Sequence, residues 1–125
     1  MQWSEAEYQA YMLRQYPRSQ DGGREKRRPI SEEILLQQVR AVARKYSYLA
    51  YHTRDSRRSD KGFPDLVLSD GRRLLFIECK SQQGKLTGDQ AQWLNLLAHT
   101  GKCETYIIRP SDLASLERLF TEEAL

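Results

Sequence analysis

With 125 residues, 39% of them hydrophobic and 30% charged, the chain can build one packed domain but not two, and its composition excludes a fibrous or wholly disordered protein. No run approaches the ~20 apolar residues that span a bilayer, the polar start Met1-Gln2-Trp3-Ser4-Glu5 does not read as a secretory signal, and two cysteines are too few for a disulfide scaffold. The net charge of +3 is lopsided: residues 1–85 hold 17 Lys/Arg against 11 Asp/Glu, or +6, and residues 86–125 hold 3 against 6, or −3. A polyanionic partner and an ordinary solvated surface both fit that imbalance.

In chain order, residues 4–15 read as a helix, with Ser4 and Glu7 at capping-box spacing and Trp3, Tyr8, Tyr11, Met12 and Tyr16 forming an aromatic stripe. Residues 17–29, with Gly22-Gly23 and five basic side chains, read as a linker. This divides the chain into an N-terminal helix and linker, residues 1–30, and a main domain, residues 31–125. Ser31 caps a second helix running to about Tyr46, with Leu35, Val39, Val42 and Tyr46 as its buried stripe. Glu32 lies near that stripe, while Glu33 is turned about 100° away. Residues 48–53 read as a strand. The polar segment after it, residues 54–62, is a loop whose Arg54, Arg57, Arg58 and Lys61 can follow a phosphate backbone. His52 reads as structural.

Residues 63–80 form a β-hairpin around the turn Ser69-Asp70-Gly71. Alternation along its second strand puts Phe76, Glu78 and Lys80 on one face and Leu75, Ile77 and Cys79 on the other. Charge beside Leu74-Leu75-Phe76-Ile77 must pair, reach water or hold an ion. Asp65 on the neighbouring strand supplies a second carboxylate, and a hard cation such as Mg²⁺ takes one or two carboxylates plus water and phosphate oxygens. Residues 81–85 are a further polar loop, in which Lys85 can also meet a phosphate. Thr87 caps a helix running to about His99, with Gln90, Trp93, Leu94 and Leu97 on one face and Gly101 as its stop. Gln90, a polar group on a packed face, needs a partner, for which the lysine or a metal-bound water is available. Cys103 opens the segment of a last strand, residues 105–109, and Ser111 caps a final helix that turns Leu113, Leu116, Leu119 and Phe120 inward. The order helix, three strands, helix, strand, helix predicts an α/β fold with a mixed central sheet flanked by helices, the last two strands joined by a parallel crossover.

Pro64-Asp65 followed by Glu78-Cys79-Lys80 resembles the Pro-Asp…(Asp/Glu)-x-Lys signature of the restriction-endonuclease-like, PD-(D/E)XK, nucleases. With Gly62-Phe63, Gly84-Lys85-Leu86-Thr87, Gln90, Trp93 and residues 106–112, the pattern is similar to the VRR-NUC branch over about residues 31–120. The resemblance implies a restriction-endonuclease-like fold and hydrolysis of DNA with Mg²⁺ or Mn²⁺, leaving 5′-phosphate and 3′-hydroxyl ends. It assigns the metal to Asp65, Glu78 and the Cys79 backbone carbonyl, with an acid near the start of the residue 31–46 helix, Glu32 or failing that Glu33. It makes Asp65, Glu78, Lys80 and Gln90 the catalytic set. It further implies branched DNA such as four-way junctions or flaps and a homodimer; the polar start, the lack of a spanning run and two cysteines that read as reduced core residues make a cytoplasmic protein, bacterial or phage-encoded, the expectation. A non-catalytic nucleic-acid-binding module of the same fold is the alternative, against which the presence of Asp65, Glu78 and Lys80 speaks.

Overall fold

The computed structural model describes residues 30–53 and 60–121; the predicted helix of residues 4–15, the linker 17–29 and the basic side chains Arg54, Arg57 and Arg58 lie outside the described residues. The first described helix, α1, is Glu32–Lys45. Ser31 Oγ accepts the Ile34 N–H, and acids in the first turn with bases in the last complement the helix dipole. Leu35, Val39 and Ala43, one i+4 ridge, are fully buried with Leu36 beside them. The stripe is therefore turned slightly from the expected one, and Val42 and Tyr46 only flank the core.

Four strands follow in sheet order β1-β2-β3-β4: β1 Leu49–His52, β2 Leu66–Ser69, β3 Leu74–Cys79 and β4 Glu104–Ile108. The first two pairings are antiparallel, with Leu66 opposite Ile77 and Ser69 opposite Leu74. The hairpin turn is closed by Asp70, whose Oδ1 accepts the N–H groups of Arg72 and Arg73 at 2.8 and 2.9 Å. β3 and β4 run parallel, joined through helix α2, Gly88–His99, so the expected mixed sheet with flanking helices is present. β4 begins at Glu104, one residue earlier than expected, and Cys103 stays outside it with its thiol donating to Leu97 O.

One sheet face holds the core. Leu66, Leu68, Leu75, Ile77, Cys79 and Ile108 pack with Leu35, Val39 and Ala43 of α1 and with Leu116 and Phe120. The other face carries Phe76 and the α2 side: Phe63 stands edge-on between Phe76 and Trp93, at ring-centroid distances of 5.9 and 5.0 Å. At the start of β3, Arg73 makes a buried bidentate ion pair with Glu104 and donates to Leu119 O at 2.8 Å; Tyr106 OH also donates to Glu104. That network locks β3, β4 and the C-terminal helix at the end of the sheet remote from Glu78.

After β4 the expected cap is different. Residues Pro110–Ser115 wind as a 3₁₀ turn before α3, Leu116–Thr121, and Asp112, not Ser111, reaches back to accept the Arg109 N–H at 2.8 Å. Pro110 fixes the entry angle, and the carboxylate three residues beyond Arg109 captures the free donor. The Ser111 N–H instead donates to Gln82 Oε1. No helix among the described residues is long and apolar enough to cross a membrane.

Candidate active site

Two side chains at the open end of the hairpin, opposite its turn, define the site. Asp65 stands immediately before β2, held by Thr53, whose N–H donates to Asp65 O and whose hydroxyl donates to Pro64 O. Its Oδ2 accepts the Cys79 N–H at 2.9 Å, which aims the carboxylate across the hairpin at the end of β3. Glu78, next to last in β3, is only 2% exposed. Its Oε1 accepts from Gln90 Nε2 at 3.0 Å, while its Oε2 is buried with no hydrogen-bond partner.

The electrostatics follow from that placement. Burial raises the pKa of Glu78, the nearby charge of Asp65 raises it further, and Lys80 opposes both. Asp65 is likewise raised, first by burial and then by the charge of Glu32, against the Cys79 N–H and the charge of His52. Two confronted acids in a desolvated place, one with an orphaned oxygen, form an environment that a hard divalent cation would relieve, so the donor set fits Mg²⁺ or Mn²⁺. Among the described residues no group of three His, Cys, Asp or Glu side chains is close enough to hold a metal. Asp65 and Glu78 would therefore hold an ion whose remaining ligands come from backbone, water or substrate oxygens.

Around this pair, Lys80 directly follows β3, is nearly buried at 9% exposure, and anchors its backbone through a 2.9 Å bond from its N–H to Ile108 O. Gln90 reaches Glu78, not Lys80. Its position comes from a capping box: Gln90 N–H donates to Thr87 Oγ1 and Gln90 Oε1 accepts the Thr87 N–H, which leaves Nε2 pointing at the carboxylate. Glu32 extends from the first turn of α1 to accept the Ser81 N–H at 3.2 Å, and its charge is felt at both Asp65 and Cys79. Glu33 is exposed, on the next position round the helix. Cys79 presents its N–H to Asp65 while burial pushes its thiol pKa up, so the side chain belongs to the core. Lys61 and Lys85 are exposed.

Sequence reasoning passed over Arg109 and Asp112. Arg109 is buried and donates from Nη1 to Ser81 O and Gly84 O, at 2.7 and 2.6 Å, so it underlies the loop that follows Lys80. The spacing Arg109-Pro110-Ser111-Asp112 is a local signal for the Asp112 cap, but nothing in it announces a contact reaching back to residue 81.

Comparison with known proteins adds three findings. The family model described as the VRR-NUC domain matches residues 3–108. A solved VRR_NUC domain protein is 18% identical, over 74% of this chain and 89% of that one, with a TM-score of 0.52, which shows a shared fold. Hjc, a Holliday junction resolvase from Archaeoglobus fulgidus, is 23% identical over 59% of this chain, with a TM-score of 0.48, and the match spans 64% of that resolvase. A search of curated proteins gave no match.

Proposed function

We propose, starting from a chain that belongs to the VRR-NUC domain family, that this protein is a metal-dependent endonuclease hydrolysing DNA phosphodiesters, with branched DNA such as four-way junctions or flaps as its preferred substrate. The observation that carries the reading is the buried Glu78, with one oxygen unpartnered, facing Asp65 two residues before Lys80. A buried pair of acids is a cost to a hairpin, and a divalent cation held between them would offset it.

Bound Mg²⁺ or Mn²⁺ would supply a water of lowered pKa and offset the charge that grows on the phosphate. Asp65 and Glu78, with the Cys79 backbone carbonyl, are the residues that would hold it. Gln90 fixes the direction of the Glu78 carboxylate. Lys80, sheltered and on the same edge, orients the attacking water or helps take its proton. Glu32 sets the negative charge of the site from the α1 side. Lys61 and Lys85, with Arg54, Arg57 and Arg58, supply phosphate contacts without reading bases. Cleavage would leave 5′-phosphate and 3′-hydroxyl ends, and two copies acting together would reach both strands of a junction.

A panel of labelled four-way junctions, flaps, nicked and plain duplexes, assayed with Mg²⁺ and with Mn²⁺, tests the reading. Asp65→Ala and Glu78→Ala should abolish cutting and leave binding in EDTA nearly intact; Lys80→Ala should lose turnover. Wild-type rates in any of the three, or metal-independent binding with no cutting by the wild-type chain, would refute it.

A further inference from the structure

Directly after Lys80 the chain makes a turn, residues 81–84, closed by a 3.1 Å bond from Gly84 N to Ser81 O. The segment Ser81-Gln82-Gln83-Gly84-Lys85 has no apolar side chain to anchor it, and polar loops of this kind are ordinarily among the looser parts of a fold. Here three elements grip it. Arg109, at the end of β4 and only 5% exposed, donates from one nitrogen to the Ser81 and Gly84 carbonyls. Gln82 Oε1 accepts the Ser111 N–H at 3.0 Å. Ser81 N–H donates to Glu32 Oε1. The grip is itself braced, since Asp112 accepts the Arg109 N–H and Ile108 O accepts the Lys80 N–H.

A guanidinium is costly to bury unless its donors find acceptors, and the acceptors here include two carbonyls of this turn. What these bonds hold are the Ser81–Gln82 and Gly84–Lys85 peptides, the first of them directly after the peptide that leaves Lys80 and gives its N–H to Glu32. We propose that Arg109 is a positioning residue for the reaction: by clamping the 81–84 turn it fixes the direction of Lys80 and the stand-off of Glu32 from Asp65 and Glu78. This inference rests on the nuclease reading above.

The test uses the full chain and three variants. Arg109→Met keeps length without donors, Arg109→Lys keeps charge without the planar fork, and Gln82→Ala cuts the exposed stitch without touching the core. Backbone hydrogen exchange at 81–85 is read alongside the single-turnover cleavage rate at saturating junction DNA and the DNA affinity in EDTA. For Arg109→Met, exchange in the turn should quicken by about tenfold or more while β3 and β4 stay protected. Cleavage should fall by about 10- to 100-fold, the scale of a misplacement near 1 Å, with affinity in EDTA unchanged. Arg109→Lys should recover part of the rate, and Gln82→Ala should shift both readouts the same way by less. If Arg109→Met does not fold, Gln82→Ala decides. An unchanged turn, or a loosened turn that cuts at the wild-type rate, overturns the inference and leaves the nuclease reading standing; a wild-type chain that cuts no DNA brings down both.

Discussion

Asp112 is 3% exposed behind the site, where burial pushes its carboxyl up to about 6, the Arg109 N–H and charge opposing only in part. The sign of the consequence is fixed: with the folded pKa above the unfolded one, the folded chain holds the proton between about pH 4 and 6 while the unfolded chain has lost it. Stability contributed by Asp112 is thus full below pH 4 and is lost as pH rises through 6, by about 3 kcal/mol for roughly two pKa units. Asp112→Asn keeps an acceptor for Arg109 N and removes the charge. Its melting curve should therefore be flatter than wild type between pH 4 and 6 and should gain at pH 7, whereas parallel pH profiles would show that Asp112 does not titrate in this window. The same chemistry explains which single residues could be read in advance. Asp65, Glu78 and Lys80 announce themselves because charge interrupts an apolar strand, whereas Asp112 sits in a polar stretch where an acid raises no question until its burial is known.

At the level of elements, α1, β3 and α2 were legible because each joins a long apolar period to a local stop or cap: Ser31 before α1, Thr87 before α2 and Gly101 after it. The 3₁₀ turn after β4 was not, because Ser111 and Asp112 are both good caps and only the path fixed by Pro110 selects between them. Nor was the Arg73–Glu104 pair, whose partners are 31 residues apart and meet only through the parallel pairing of β3 with β4. Gly62 shows the same limit and yields a prediction. Its φ of +88° lies in the left-handed region, and a Cβ there would stand 2.6 Å from the Asp89 Cβ, against the first turn of α2. Only glycine lets the segment before Asp65 lie against the helix that carries Gln90. Gly62→Ala should cost about 1–3 kcal/mol from backbone strain, and by displacing α2 it should also slow cleavage. Thermal denaturation with the cleavage assay checks this; a wild-type melting temperature would mean that α2 yields without cost.

For the whole molecule, the basic balance of residues 1–85 becomes a measurable quantity. Each phosphate contact adds about one unit to the slope of log affinity against log salt, so replacing Arg57 and Arg58 by Ala should flatten that slope by up to about two units on every DNA; an unchanged slope removes this loop from the interface. Assembly is a separate matter. One site per chain makes one cut, and cutting both strands of a junction in a single encounter requires two copies, which closed two-fold symmetry supplies. Two apolar features favour such a pair. Trp3, Tyr8, Tyr11, Met12 and Tyr16, which the sequence pattern expects on one side of a helix, are of residue types that interfaces favour, and β1, the outermost strand of the sheet among the described residues, leaves Leu49 84% and Tyr51 66% exposed. The competing arrangement, in which the stripe covers its own domain, predicts a monomer. Light scattering at micromolar concentration should find the full chain at twice its 14.6 kDa mass, and a shortened chain beginning at Pro29 should be monomeric and cut a junction one strand at a time. A monomeric full chain that severs both strands in one encounter would refute the homodimer.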